Sequence, residues 1–115
     1  MNNEWSEWRM FPDPCAGGYL IAPFGPGCYA LRLMDSSLVL FGMSGHVAKR
    51  LTSLLPRPLG SGTRRNDRKR EFVQQHLHSI QYRTTACKSR SEAAAVEREM
   101  RKNASAYLFR EAGIA

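Results

Sequence analysis

Cysteine is scarce in this chain of 115 residues: there are three, Cys15, Cys28 and Cys87, an odd number without paired spacing. That argues against a disulfide framework and fits reduced thiols in a cytoplasmic setting. Metal-ligand spacing is missing as well. No Cys-x-x-Cys or His-x3-His pattern links the thiols with His46, His76 and His78, which speaks against structural zinc. No apolar run reaches the length of a membrane span, and the N-terminus opens on Glu4 and Glu7 rather than on a basic, apolar leader. Neither a transmembrane helix nor a signal peptide is expected, so no membrane partner is either. Internal repeats, low-complexity stretches, a Gly-rich nucleotide loop and a Ser-His-Asp set are all wanting, and no small-molecule cofactor is expected.

Acidic residues are also few where the basic ones crowd. Between Gly45 and Lys102 stand 14 Lys/Arg against 5 Asp/Glu, so this segment carries +9 of a chain whose total is +7. Charge concentrated in this way suits a polyanion, because each neutralised phosphate releases a counterion. A solvated basic face is the alternative. The hydrophobic fraction of 43% is ordinary for a globular domain, and the length allows one core without metal or disulfide staples. Oligomeric state is left open.

Residues 1–26 read as a lead-in carrying Trp5, Trp8, Phe11, Tyr19 and Phe24, broken by Pro12, Pro14, Pro23 and Pro26. Prolines at that density exclude a long helix or a central strand, although Tyr19–Ala22 is a candidate edge strand. The rings are expected to wrap one side of the sheet, with stacking on bases as the other option for Trp5 and Trp8. The domain proper spans 27–115.

Two apolar runs, Cys28–Met34 and Leu38–Phe41, flank the turn-forming Asp35-Ser36-Ser37 and predict a β-hairpin. Alternation sends Tyr29, Leu31 and Leu33 to one face and Cys28, Ala30 and Arg32 to the other. Tyr29 is then either a packing tyrosine with its hydroxyl at the rim or a chemical group. The second strand is apolar on both faces and reads as central. After Gly42 the spacing of Val47, Leu51 and Leu54 turns helical. Ser44 is placed to cap this helix, whose N-terminus could hold a phosphate, with Lys49 beside it. His46 could serve as a phosphate donor, an acid, or only a surface side chain. Arg50 lies one turn further and can grip two phosphate oxygens.

A Pro/Gly loop leads to Arg64, Arg65, Arg68, Lys69 and Arg70, at the start of a helix capped by Asp67 and running to about His78. Cations at a helix N-terminus oppose the helix dipole, and phosphate is the simplest reason for them. Ser79–Ala86 reads as a third strand, with Tyr82 a core residue. A last helix begins after Ser89 or Ser91 and runs to about Asn103. On it Ala93, Val96 and Met100 form the apolar stripe. Glu97 falls about 40° from Ala93, at the stripe's edge, whereas Glu92 and Glu99 face away. A carboxylate at a core margin is paired, protonated or metal-bound. The expected fold is α+β: a small three-stranded antiparallel sheet flanked by helices in the order β-β-α-α-β-α.

Gly27-Cys28-Tyr29 on the first strand, Leu40-Phe41-Gly42 on the second, Arg50 eight residues later and Glu97 within Ala93-Ala94-Ala95-Val96-Glu97 are an ordered set. In this the chain resembles the GIY-YIG nuclease superfamily over Gly27 to Tyr107, with Leu40 in place of that family's second tyrosine. The resemblance implies an endonuclease that hydrolyses phosphodiester bonds in DNA, with RNA left open, using one divalent ion, Mg2+ being the expected one. It assigns proton handling to Tyr29, transition-state stabilisation to Arg50, and the metal to Glu97. His46 would assist at the site, and Ser44, Lys49, Arg64, Arg65, Lys69 and Arg70 would position the strand. Leu40 favours the alternative, a binding module of the same fold without catalysis. A partner-binding domain using the N-terminal aromatics is a third reading.

Overall fold

The hairpin turn is built from its own side chains. Asp35 accepts the Ser37 N–H at 2.9 Å, Leu33 and Ser37 bond across the turn, and Ser36 takes a left-handed φ of 73°. The hydrogen bonds from Ser37 hold the Asp35 carboxyl below its ordinary pKa. From this turn the computed structural model, which describes residues 4–13, 16–55 and 67–109, extends as an α+β fold around one antiparallel sheet.

In chain order the elements are β1 (Arg9–Met10), β2 (Gly27–Leu33), β3 (Leu38–Ser44), α1 (Val47–Thr52), α2 (Asp67–Gln75), β4 (Ile80–Ala86) and α3 (Arg90–Arg101), followed by a 3-10 turn at Ala104–Ala106. The strands lie in the order β1-β4-β2-β3. The sheet therefore has four strands rather than the three expected, and the order opens with an extra β. Arg9 and Met10 pair with Tyr82 and Gln81 to form the added strand, while Tyr19–Ala22 is not a strand. A second expectation also fails: β3 lies at the edge, and the interior strands are β2 and β4. β3 is apolar on both faces because both are covered, and its outer carbonyls at Leu38 and Val39 accept from Leu108 and Phe109 of the C-terminal segment. An edge whose hydrogen bonds are taken does not need polar residues to protect it.

The β2–β3 register places Tyr29 opposite Gly42 and Leu31 opposite Leu40, then slips so that Arg32 faces Leu38. Val39 is the extra residue of this bulge, which is why it and Leu40 join the same core. That core gathers Tyr29, Leu31 and Leu40 with Val47 and Leu51 of α1, Val73 of α2, and Phe11, Ile80 and Tyr82. On the opposite face Ala30, Phe41 and Tyr107 pack with Met100 of α3 and the indoles of Trp5 and Trp8. The lead-in thus shares the domain's core, with Trp8 stacked under Arg32 at 4.3 Å and both indoles against Arg83 at 4.7 and 4.8 Å.

α3 is started by Ser89, whose hydroxyl accepts from the Glu92 N–H at 3.2 Å while Glu92 reaches back to the Lys88 N–H at 3.3 Å. α2 stops at Gln75, three residues short of expectation, and residues 76–79 turn into β4. Among the described residues no helix is long and apolar enough to cross a membrane.

Candidate active site

Strand alternation and helix periodicity meet at one end of β2. α3 turns Ala93 and Glu97 inward, and the Cys28 thiol donates to the Ala93 carbonyl at 3.2 Å. On the other face Tyr29 packs beneath α1, where the Arg50 guanidinium donates to its hydroxyl. Tyr29 is 4% exposed and Glu97 8%. Three elements far apart in sequence, β2, α1 and α3, therefore bring Tyr29, Arg50 and Glu97 into one electrostatic neighbourhood.

The protonation states follow from burial. Desolvation pushes the Tyr29 phenol above its ordinary value; Arg50 pulls it back only in part, and Glu97 and Cys28 oppose ionisation further. Tyr29 is thus a neutral hydroxyl at physiological pH, a proton donor before it is a base. The Cys28 thiol is pushed up to about 12, chiefly by burial, then by Cys87 and Glu97, and is protonated too. Cys28 and Cys87 are both free thiols. The charge at Glu97 is met by Arg101, Nη2 to Oε1 at 3.0 Å, one helical turn on. Arg101 is mostly exposed, so the pair can open towards solvent without breaking the core.

Leu40 lies 2% exposed on the same face as Tyr29, diagonally across the β2–β3 pair. An apolar side chain there seals the phenol from below and offers it no proton partner.

The start of α1 differs from expectation. His46, not Ser44, is its N-cap: the imidazole Nδ1 accepts the Lys49 N–H at 3.1 Å, which places the ring proton on Nε2. Ser44 ends β3 and accepts the His46 N–H at 3.0 Å. The next two N–H groups, of Val47 and Ala48, go to the carbonyls of Gly25 and Pro23. With these donors spent, the end of this six-residue helix offers no phosphate cradle. Lys49 is exposed on its outer side.

The basic cluster separates. Arg64 and Arg65 lie outside the described residues. Arg70 turns its guanidinium to the Leu55 carbonyl at 3.2 Å. Lys69 joins Arg68, Phe72 and Phe109 around an open concavity of about 530 Å3 between α2 and the C-terminal segment.

Two participants escaped the sequence. Cys28 reads there only as part of a Gly-x-Tyr, yet its thiol ties β2 to the turn of α3 that precedes Glu97; its place on the face opposite Tyr29 was the available signal. Phe24 reads as one more lead-in aromatic but stacks on His46, centroids 5.7 Å apart at 23°.

The chain matches no protein-family model, no curated protein and no solved structure.

Among the described residues no three His, Cys, Asp or Glu side chains gather into a metal-holding group. Magnesium does not require such a group, since it commonly takes one or two carboxylates, several waters and the substrate's own phosphate. Glu97, desolvated and carrying a separable ion pair, fits this single-carboxylate role.

Proposed function

We propose that the chain is a GIY-YIG-like endonuclease domain that hydrolyses phosphodiester bonds in DNA with one magnesium ion held by Glu97. The observation that carries this reading is the convergence of Tyr29, Arg50 and Glu97, which lie 21 and 47 residues apart along the chain. A divalent ion at Glu97 would neutralise charge on the scissile phosphate. The remaining work belongs to the chain. Arg50 lies where a planar guanidinium can hold phosphate oxygens, and it is the cation that best supports a developing phenolate on Tyr29. To act as a base on the attacking water, the Tyr29 hydroxyl, kept protonated by burial, would first have to pass its proton to bulk water, with Arg50 supporting the phenolate; as an acid it would give that proton to the leaving oxygen. Leu40 and the packed core exclude water from the inner side of the phenol.

Magnesium-dependent cleavage of labelled duplex, flap and single-stranded DNA by the purified protein tests this. The reading expects cutting that EDTA abolishes. A second reading, a DNA-binding module of the same fold without catalysis, is favoured by one pair of observations: Tyr29 is held neutral, and the buried Leu40 on its face can neither donate nor accept a proton. DNA binding with no cleavage under any divalent metal selects it.

A further inference from the structure

Trp5, Trp8, Phe11 and Leu20 of the lead-in are wholly or partly folded away, but the stretch from Tyr19 to Phe24 displays large apolar side chains. Phe24 is 83% exposed, Tyr19 77% and Ile21 47%. This is not a loose loop. The Tyr82 hydroxyl, itself buried, donates to the Ile21 carbonyl at 3.2 Å and accepts the Ile21 N–H at 2.9 Å. Two and four residues on, the carbonyls of Pro23 and Gly25 accept the N–H groups of Ala48 and Val47, the first two of α1, at 2.9 and 3.0 Å. Phe24 is thereby fixed between two anchored peptides with its ring held out to water. An exposed ring on a fixed backbone loses little conformational entropy on binding, and covering it recovers the hydrophobic energy its exposure forgoes.

The surroundings say what covers it. One face of Phe24 lies on the His46 imidazole, near-parallel at 23°, which leaves the other outward. His46 caps α1 and its imidazole accepts the N–H of the exposed Lys49, so a basic residue follows the stacked pair within the first turn of the helix. Arg50 then reaches Tyr29. An aromatic platform with a cationic border suits a stacked base whose phosphates run along the basic side, whereas a hydrophobic protein partner gains nothing from that border.

We infer that Phe24, backed by His46, is a stacking platform for an unpaired nucleobase, so that the substrate class is nucleic acid with single-stranded or splayed character rather than intact duplex. The inference deepens the reading above and rests on its nucleic-acid half, not on cleavage. A base inside a duplex has no free face to offer, so the platform selects strands whose bases are already unstacked.

The test is fluorescence anisotropy with a short labelled oligonucleotide, single-stranded and as its duplex, in EDTA so that no cutting intervenes. Phe24→Ala is expected to weaken single-strand binding by roughly five- to a hundredfold, the range for one lost base–aromatic stack. Duplex binding should not change. Phe24→Trp should restore the affinity. The dependence on salt should keep its slope in Phe24→Ala, since no phosphate contact is lost, whereas Lys49→Ala should lower it by about one. Phe24 is exposed, so the variant folds; matching unfolding curves confirm it. Unchanged single-strand affinity in Phe24→Ala overturns the inference while leaving the nuclease reading intact. An equal loss on duplex overturns it too, because the ring then does not read unpaired bases. Failure of the unmutated chain to bind any nucleic acid removes both. Single-strand binding that depends on Phe24, in a chain that never cleaves, keeps the platform and removes the nuclease.

Discussion

Two arginines on either side of β2 are held in opposite ways. Arg83 crosses from β4 onto the face shared with α3 and is stacked between Trp5 and Trp8, with no hydrogen-bond partner for its Nε. Its charge is satisfied by ring faces, an arrangement that packs well and excludes a small anion from the guanidinium plane. Arg50 emerges from α1 on the other face and is directed at a phenol that burial holds neutral. The first cation closes a surface; the second is aimed at a group whose protonation it can change. Since both belong to one small basic domain, charge alone does not separate a structural cation from a chemical one. What each guanidinium faces does.

The largest expected effect concerns the carboxylates of α3. Glu97→Gln keeps size and helix propensity but removes the charge a hard cation needs, and metal-dependent cleavage should fall by at least about a thousandfold, or about 4 kcal/mol of barrier. Glu92→Gln and Glu99→Gln should cleave normally. Steady-state assays of the three variants decide this, and a Glu92 or Glu99 defect with normal Glu97→Gln would reverse the helical-face argument.

The arginine comparison predicts a crossed pair of outcomes. Arg50→Lys keeps the charge but loses the planar fork, so turnover should drop by about ten- to a hundredfold with unfolding unchanged. Arg83→Ala should cost about 2 kcal/mol in urea unfolding, from lost stacking and lost cover over the sheet, and leave turnover alone. A stability loss at Arg50, or a turnover loss at Arg83, would erase the distinction.

The sequence carried the local parts of this architecture and missed those imposed from outside. The Asp35-Ser36-Ser37 turn, the period of Ile80–Ala86 and the inward margin at Glu97 depend on near neighbours, and they were legible. β1 is two residues long and exists only because β4 offers it a partner. β3 reads as central because it is apolar on both faces, but its open edge is taken by the backbone of Leu108 and Phe109, a pairing that side-chain pattern does not encode. Ser44 has the composition of a cap, but the backbone brings the His46 imidazole round to the Lys49 N–H instead. The chemical trio could be named through the resemblance, but not its protonation, because the depth at which Tyr29 sits follows from how α1 and Leu40 close over it.

A smaller effect appears in alkaline solution. Cys28 and Tyr29 both have folded-state pKa values above their ordinary values of 9.0 and 10.0. Each group binds its proton more tightly when folded, so its stabilisation is complete below the ordinary value and is lost as pH rises through it towards the folded one. The urea midpoint should therefore hold near neutrality and decline from about pH 9. Cys28→Ala should flatten the first part of that decline and Tyr29→Phe the later part. A midpoint flat to pH 11 would mean that neither group is as buried as its exposure implies. Smallest of all, breaking the exposed Glu99–Lys102 pair with Lys102→Gln should move stability by no more than about 0.5 kcal/mol.

The claim that Tyr29, Arg50 and Glu97 act as one unit is tested most directly by single-turnover cleavage in magnesium, comparing the unmutated chain with Tyr29→Phe, Glu97→Gln and the double variant. Tyr29→Phe should lower the rate at least about a hundredfold without weakening DNA binding, and the double variant should be no slower than the slower single, because groups serving one transition state are not additive. Near-normal cleavage by Tyr29→Phe, or losses that simply multiply in the double variant, would contradict it.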